Sequence, residues 1–505
     1  MTQRPILVTG AGGYVGGRLV PLLLASGYRV RAAARKPESL FRRPWSRHPD
    51  VEITAMDATD AASVQRAVTG CGVVYYLIHS MIASRETFAE SDRRGAMNVS
   101  AAAADARVER IIYLGGLGDA DDPKLSKHLR SRHEVEAIFR SGPVPATCLR
   151  AAMIMGSGSA SFEMLRYLVE RLPVMVTPRW VHTPCQPISI ANVLGYLVGC
   201  LESAETKGRT FDIGGPEVVS YRELIVIFAE EAHLPRRIIV PVPVLSPKLS
   251  SMWIHLVTPV PAVIARPLAE GLSIPVVCRE NDIRSLVPLR LQGCRETIRK
   301  ALDRAAGAAA DACELPEGHL LPPEWVYCGD ADYAGGTTLE VSHRIVLSAA
   351  PEAAWRAVEA IGGAGGYYHA GLLWTLRGAV DRLAGGPGLK NARKDPHRLH
   401  EGEAFQFWRV ASIDRPGRLV LESRMKAPGE AFMEFEVKAS GEGSAVVLRS
   451  VFFPRGLAGL FYWFVLHPVH RYVFRGMLAG IADRCGACVI RGPERWFSRS
   501  ETLDR

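Results

Sequence analysis

The feature that most constrains this chain is the run Val8-Thr9-Gly10-Ala11-Gly12-Gly13-Tyr14-Val15-Gly16, which sits between an apolar stretch at Ile6 to Thr9 and a segment of helical periodicity. Glycines spaced this way at a strand-to-helix junction have separate uses. Gly10 permits a tight turn, Gly13 lets backbone approach a pyrophosphate, and Gly16 lets the helix pack closely on the strand. The helix start adds free N–H groups and a partial positive charge. Thr9, Gly10, Gly12, Gly13, Tyr14, Val15 and Gly16 are therefore expected to hold a dinucleotide.

About twenty residues further on, a site selective for NAD places an acidic residue at the ribose hydroxyls. Here the second apolar run ends Ala32-Ala33-Ala34-Arg35-Lys36. A cation suits a 2′-phosphate, so Arg35, supported by Lys36 or Arg42, favours NADP(H), with NAD(H) as the alternative. Asp57, with Ala58 beside it, is placed to receive the adenine amino group, or else to cap the helix that follows.

Apolar runs at Ile6 to Thr9, Arg29 to Ala34, Val51 to Ala55, Val73 to Ile78, Ile111 to Leu114 and Ala146 to Leu149 alternate with helix-length segments. This predicts α/β architecture: a doubly wound parallel sheet of Rossmann type over residues 1–150. Looser patterning over 151–314 predicts a smaller substrate-side lobe, with helices at Phe162 to Arg171 and Ile190 to Glu202 and a strand at Thr210 to Ile213. An Ala-rich stretch, Ala301 to Ala312, and the prolines of Leu315 to Pro323 read as a connection, placing the boundary near 315. Period-two strands at Leu339 to Leu347, Phe405 to Ile413, Arg418 to Ser423, Glu430 to Val437 and Ala445 to Phe453 precede a long helix, Leu457 to Cys485. Residues 315–505 thus read as an α+β domain, an antiparallel sheet wrapped on a helix.

The formal charge of +9, from 61 Lys plus Arg against 52 Asp plus Glu, is spread without long basic runs, which argues against nucleic acid as a partner. Ten scattered cysteines, and an opening Met1-Thr2-Gln3-Arg4 that runs straight into a strand, predict reduced thiols in the cytoplasm. The pair Cys485-Gly486-Ala487-Cys488 has redox spacing but no companion pair, and His467 and His470 lack carboxylate or thiol company, so no metal is expected. Gly456 to Leu466 is too short to span a bilayer, which takes about 20 apolar residues. Peripheral contact with a membrane stays open.

The Thr9 to Gly16 motif, Asp57, the strand Val73 to Ile78 and Phe211-Asp212-Ile213-Gly214-Gly215-Pro216 resemble the atypical and extended short-chain dehydrogenase/reductase family over roughly residues 1 to 300. The resemblance implies that Leu77, Ile78, His79 and Ser80 line the nicotinamide ribose. It implies also that Leu149-Arg150 and Met153 to Gly156 close the pocket. The tail beyond Trp325 looks like the uncharacterised DUF2867 domain fused behind such reductases, and its layout is similar to the helix-grip superfamily of hydrophobic-cavity proteins (SRPBCC). The family's chemistry uses a Tyr, a Lys four residues later and a Ser. This sequence departs from that pattern: His128 and Arg132 stand at the Tyr and Lys positions, and Leu114-Gly115-Gly116-Leu117 at the Ser position.

His128 is the candidate proton donor, with a surface histidine as the bland alternative. Arg132 cannot act as a base but can bind the cofactor's ribose or phosphate. Tyr75, Tyr76 and His79 are further aromatics nearby, the two tyrosines being explained as core. In the tail, a Gly-rich basic segment from Gly362 to Arg398, with Tyr367, Tyr368, His369, Trp374, Arg377, Lys390, Asn391, Arg393, Asp395 and His397, reads as a loop over a cavity mouth. Phe405, Phe407, Trp408, Phe461, Tyr462, Trp463 and Phe464 read as cavity wall or core. Two functional classes follow: an NADP(H)-dependent oxidoreductase acting on a hydrophobic small molecule such as a quinone or lipid-like carbonyl, or a non-catalytic dinucleotide-binding sensor or scaffold.

Overall fold

Short apolar strands joined by helices can pair only in parallel, with helices on both faces, and that is the arrangement found. The computed structural model describes residues 4–79, 88–242, 257–303, 320–363, 365–389, 393–395, 398–441 and 443–496. The chain divides into two units, Met1–Gly336 and Thr337–Arg505.

In the first unit the order is β1 (Ile6–Thr9), α1 (Tyr14–Ala25), β2 (Val30–Ala34), β3 (Val51–Ala55), α2 (Ala61–Val68), β4 (Val73–Tyr76), α3 (Phe88–Asp105), β5 (Arg110–Gly116), α4 (Lys127–Ser141) and β6 (Ala146–Ala151). A seventh strand, Thr210–Ile213, completes a parallel sheet whose order runs from it through β6, β5, β4, β1 and β2 to β3. Ile6 pairs with Val30 on one side and Val73 on the other, so the chain reverses its winding at β1. Ligands bind beyond the carboxyl ends of the strands at such a switch point.

Alternation along β1 explains why both faces are covered. Ile6 and Val8 enter one core with Leu19 and Leu23 of α1 and with Val193 and Leu197 of the Ile190–Glu202 helix. Leu7 enters the other with Val64 of α2, Val99 of α3 and Val135 and Phe139 of α4. A separate core joins the Ala160–Arg171, Tyr221–Glu231 and Cys294–Leu302 helices through Phe162, Phe228 and Ile298. The first unit extends to Gly336, past the boundary expected near 315, because Pro323, Trp325 and Asp330 are bonded to Arg18 of α1.

The second unit is a seven-stranded antiparallel sheet, ordered Ala404–Phe405, Trp408–Asp414, Arg418–Ser423, Gly429–Ser440, Gly443–Pro454, Leu339–Leu347 and Val489–Arg495. The Gly456–Cys485 helix packs on the sheet. The edge strand Val489–Arg495 was not expected from the sequence. The segment expected as a loop over a cavity mouth instead contains a helix, Gly371–Leu383, because apolar residues recur at helical spacing between its glycine-rich ends. Of the residues read as cavity wall or core, Phe405, Phe407, Trp408 and Trp463 are buried in the core of this unit, whereas Phe461 and Phe464 face outward. Lys390, Asn391 and His397 lie outside the described residues.

Among the described residues eight cysteines are free, Cys485 and Cys488 among them. Cys328 is disulfide-bonded, which departs from the expectation of uniformly reduced thiols. Among the described residues no helix is long and apolar enough to cross a membrane, and no His, Cys, Asp or Glu group could hold a metal.

Candidate functional site

The glycines after β1 are required by close contacts. Gly10 adopts a positive φ of 67°, and a Cβ there would stand 3.0 Å from the Leu77 carbonyl oxygen. A Cβ on Gly16 would lie 2.4 Å from the Gly10 oxygen, a backbone atom that cannot swing aside. Gly13 is exposed and occupies the N-cap of α1, where no side chain caps the helix and no acid stands in the first turn. The first N–H groups of α1 are thus left to an anion. This cradle, which a Cβ would fill, fits a dinucleotide pyrophosphate.

The side chains around the cradle brace it. Thr9 is buried, and its hydroxyl donates to the Tyr75 carbonyl at 3.0 Å and accepts from the Leu77 N–H at 3.1 Å, tying β1 to β4. Arg43 donates to the Gly12 carbonyl at 2.7 Å and pairs with Asp330 at 3.1 Å. Arg18, wholly buried, meets the same carboxylate at 2.6 Å and lies over the Tyr14 ring at 4.1 Å. Tyr14 therefore turns its ring away from the cradle; a Cβ on Gly156 would strike its hydroxyl oxygen at 2.4 Å, leaving only its backbone to serve a ligand. Arg18, Arg43 and Asp330 were missed by sequence reasoning. A charged residue between Gly17 and Leu19 on the apolar face of α1 was the one available signal.

Toward the adenine end, Arg35 and Lys36 follow β2 and are exposed, as is Arg42. Asp57 accepts the N–H and hydroxyl of Thr59 at 2.9 and 2.8 Å. Partial burial raises its carboxyl pKa, but those bonds, with Arg35 and Arg94, outweigh it and hold the carboxyl below the usual range. The cap of α2 is Asp60, bonded to the Ala62 N–H, so Asp57 does not have that role. Ala58 is buried, and its carbonyl accepts from Asn98 at 2.8 Å.

At the opposite end Leu77, Ile78 and His79 follow β4, half-buried beside Gly10; Ser80 lies outside the described residues. Arg132 of α4 reaches the carbonyl ends of two strands, donating to Ile78 at 3.2 Å and to the Leu114 carbonyl. His128, one turn earlier, is half-buried and packs on His79 with ring centroids 4.5 Å apart. Asp92 of α3, nearly inaccessible, stands 3.5 Å from His79 Nδ1 and accepts from the Ser131 hydroxyl at 3.0 Å. Burial, then His79 and Arg132, push the His128 pKa well below the ordinary imidazole value, so the ring is neutral at pH 7. His79 is shifted the same way by burial and Arg132, against the pull of Asp92. Nothing in the sequence spacing points to Asp92.

Among the described residues no tyrosine replaces the family's usual donor in this cluster. Tyr75 donates to the Leu197 carbonyl at 2.9 Å and Tyr113 to the Arg132 carbonyl at 3.0 Å, both fully buried, and Tyr76 is core. Arg150 is bound by Glu136 through contacts of 2.8 and 2.6 Å, and that pairing with His133 lowers the Glu136 carboxyl, against burial, to about 2.

Residues 10–163 match an NAD(P)H-binding family and residues 333–477 a protein family of unknown function (DUF2867). The chain is 30% identical over 226 residues to a (4-alkanoyl-5-oxo-2,5-dihydrofuran-3-yl)methyl phosphate reductase of Streptomyces griseus, covering 43% of this chain and 70% of that protein. It is 31% identical over 130 residues to cinnamoyl-CoA reductase 2 of Medicago truncatula, covering 25% of this chain and 39% of that one. The chain thus spans well under half the length of this plant relative. Among solved structures, a triphenylmethane reductase of Citrobacter sp. aligns with a TM-score of 0.49 at 21% identity, over 59% of this chain and 99% of that one.

Proposed function

This chain belongs to the NAD(P)-binding, Rossmann-like short-chain dehydrogenase/reductase family and carries a DUF2867 domain behind it, and from that premise we propose that it is an NADP(H)-dependent reductase of a hydrophobic carbonyl compound, such as a quinone or lipid-like carbonyl. The observation that carries the reading is the placement of His128: half-buried against His79, above the strand ends that also form the glycine cradle. When bound, the nicotinamide supplies a hydride to the carbonyl carbon.

The chain's own residues do the rest. The free backbone N–H groups at the start of α1, those of Tyr14 and Val15, hold the pyrophosphate, and Arg35, with Lys36 and Arg42 in support, holds the 2′-phosphate. The neutral His128 imidazole donates an N–H hydrogen bond to the carbonyl oxygen, and a proton from solvent completes the alcohol. His79 and Asp92 set the ring's position, while Arg132 pins α4 to the strand ends. The names of the Streptomyces griseus and Medicago truncatula relatives, both reductases, support the reaction class.

Replacing His128 with Phe tests this. Turnover of NADPH with quinone and carbonyl acceptors is expected to fall by about 10²- to 10⁴-fold while NADPH affinity is kept. Because the ring is neutral at pH 7, wild-type kcat should be flat between about pH 7 and 8 and change only below the ordinary imidazole range. Unchanged turnover in the Phe variant ends the proposal. A second reading, a non-catalytic sensor, draws on the burial of every nearby tyrosine hydroxyl. Its mark is NADP that co-purifies and does not exchange.

A further inference from the structure

Amphipathic helices normally bury their apolar stripe and show water a polar one. Two helices of the second unit do the reverse on part of their surface. Along Gly371–Leu383, Leu372 (83% exposed), Leu376, Val380 and Leu383 (90% exposed) recur at helical spacing on the outer face. The first half of Gly456–Cys485 repeats the pattern with Leu457, Phe461 (74%), Phe464 (66%), Val465, Val469 and Tyr472, while Trp463, Val473 and Phe474 point into the core. The two stripes share one corner of the unit. His369, two residues before the first helix, packs on Tyr472 at 4.8 Å, and Arg377 of the first helix acts electrostatically on His470 of the second.

Scattered exposed leucines need no explanation, but an aromatic-rich stripe on each of two neighbouring helices does. The charges around them identify the occupant. Arg382, Arg455, Arg471 and Arg475 are exposed at this corner. Neither helix shows a carboxylate to solvent before Asp483: the sequence from Gly456 to Ala482 contains no acid, and Asp381 is buried against the backbone N–H groups of Gly388 and Lys426.

We propose that this corner docks on an anionic phospholipid surface, its leucines and phenylalanines entering the acyl boundary and its arginines meeting the headgroups. A helix whose other face is fixed in a protein core can lie only in the plane of the interface. A second copy of this chain fits less well: twofold pairing of the patch would bring Arg382, Arg471 and Arg475 against one another, while Glu430 is already paired with Arg455 at 2.7 Å. Such docking would hold the chain where hydrophobic small molecules concentrate, but it stands on its own observations.

The test is sedimentation of the full-length chain with vesicles of phosphatidylcholine alone and with about a third phosphatidylglycerol. The anionic vesicles are expected to pull the protein down, and about 0.5 M salt to release most of it. F461S/F464S and, separately, L376S/L383S should each weaken binding at least about tenfold with melting temperature unchanged, since these side chains are exposed. Loss of folding in one pair leaves the other to decide. The proposal is overturned if the wild type ignores anionic vesicles, if both pairs bind as well as wild type, or if the patch instead drives a concentration-dependent dimer that the same substitutions abolish.

Discussion

The two ends of the candidate site in the first unit are built by opposite means. The phosphate end is a single run of backbone, Gly10 to Gly16, whose shape is enforced by atoms that have nowhere to move. The proposed catalytic end is a meeting of side chains from different elements: His79 after β4, Asp92 on α3, and His128 and Arg132 on α4. Where backbone geometry does the binding, residue type and spacing are dictated locally. Where chemistry is done by side chains, any fold that brings them together suffices, and spacing along the chain carries no message.

The sharpest way to break that contrast is Gly16→Val. Its Cβ would meet the Gly10 oxygen at 2.4 Å, so NADPH binding, measured by calorimetry, should weaken by at least about a hundredfold, together with a lower melting temperature. Retained binding would mean the cradle is softer than its contacts imply. A smaller effect is expected at the other end from Arg132→Lys. An ammonium cannot span the Ile78 and Leu114 carbonyls as the planar guanidinium does, so kcat should drop about tenfold with NADPH affinity unchanged. If affinity falls and kcat holds, Arg132 binds the cofactor's ribose or phosphate, as its guanidinium chemistry allows. The smallest change is Arg35→Asp, at an exposed position. It should shift the ratio of NADPH to NADH affinity by about tenfold toward NADH, and an unmoved ratio would remove the 2′-phosphate assignment.

The second unit shows the same limit of legibility. Its strands could be read from period-two patterning because each has one wet and one dry face, and Leu339–Leu347 and Arg418–Ser423 fall where that pattern places them. The Gly371–Leu383 helix was hidden because its flanking glycines and basic residues read as a loop. Its apolar positions then face outward, a choice visible only once the neighbouring helix and sheet are in place. In the first unit, Arg43 looks like an ordinary surface cation, and Arg18 like a misplaced one on the apolar face of α1, until Asp330, some three hundred residues away, is folded against them.

The sequence by itself determined the parallel α/β sheet and the glycine turn between its first strand and first helix, because periodicity and glycine spacing act over one or two elements and follow from sterics; the switch point at β1 came from the strand pairing. Only the tertiary structure decided that Thr9 and Tyr14 brace the cradle with their side chains, that Asp92 stands behind His79 and His128, and that two helices of the second unit present leucine and phenylalanine to solvent. Those outcomes depend on which distant groups share a low-dielectric site or an exposed face, and neither burial nor proximity is a property of a residue's place along the chain.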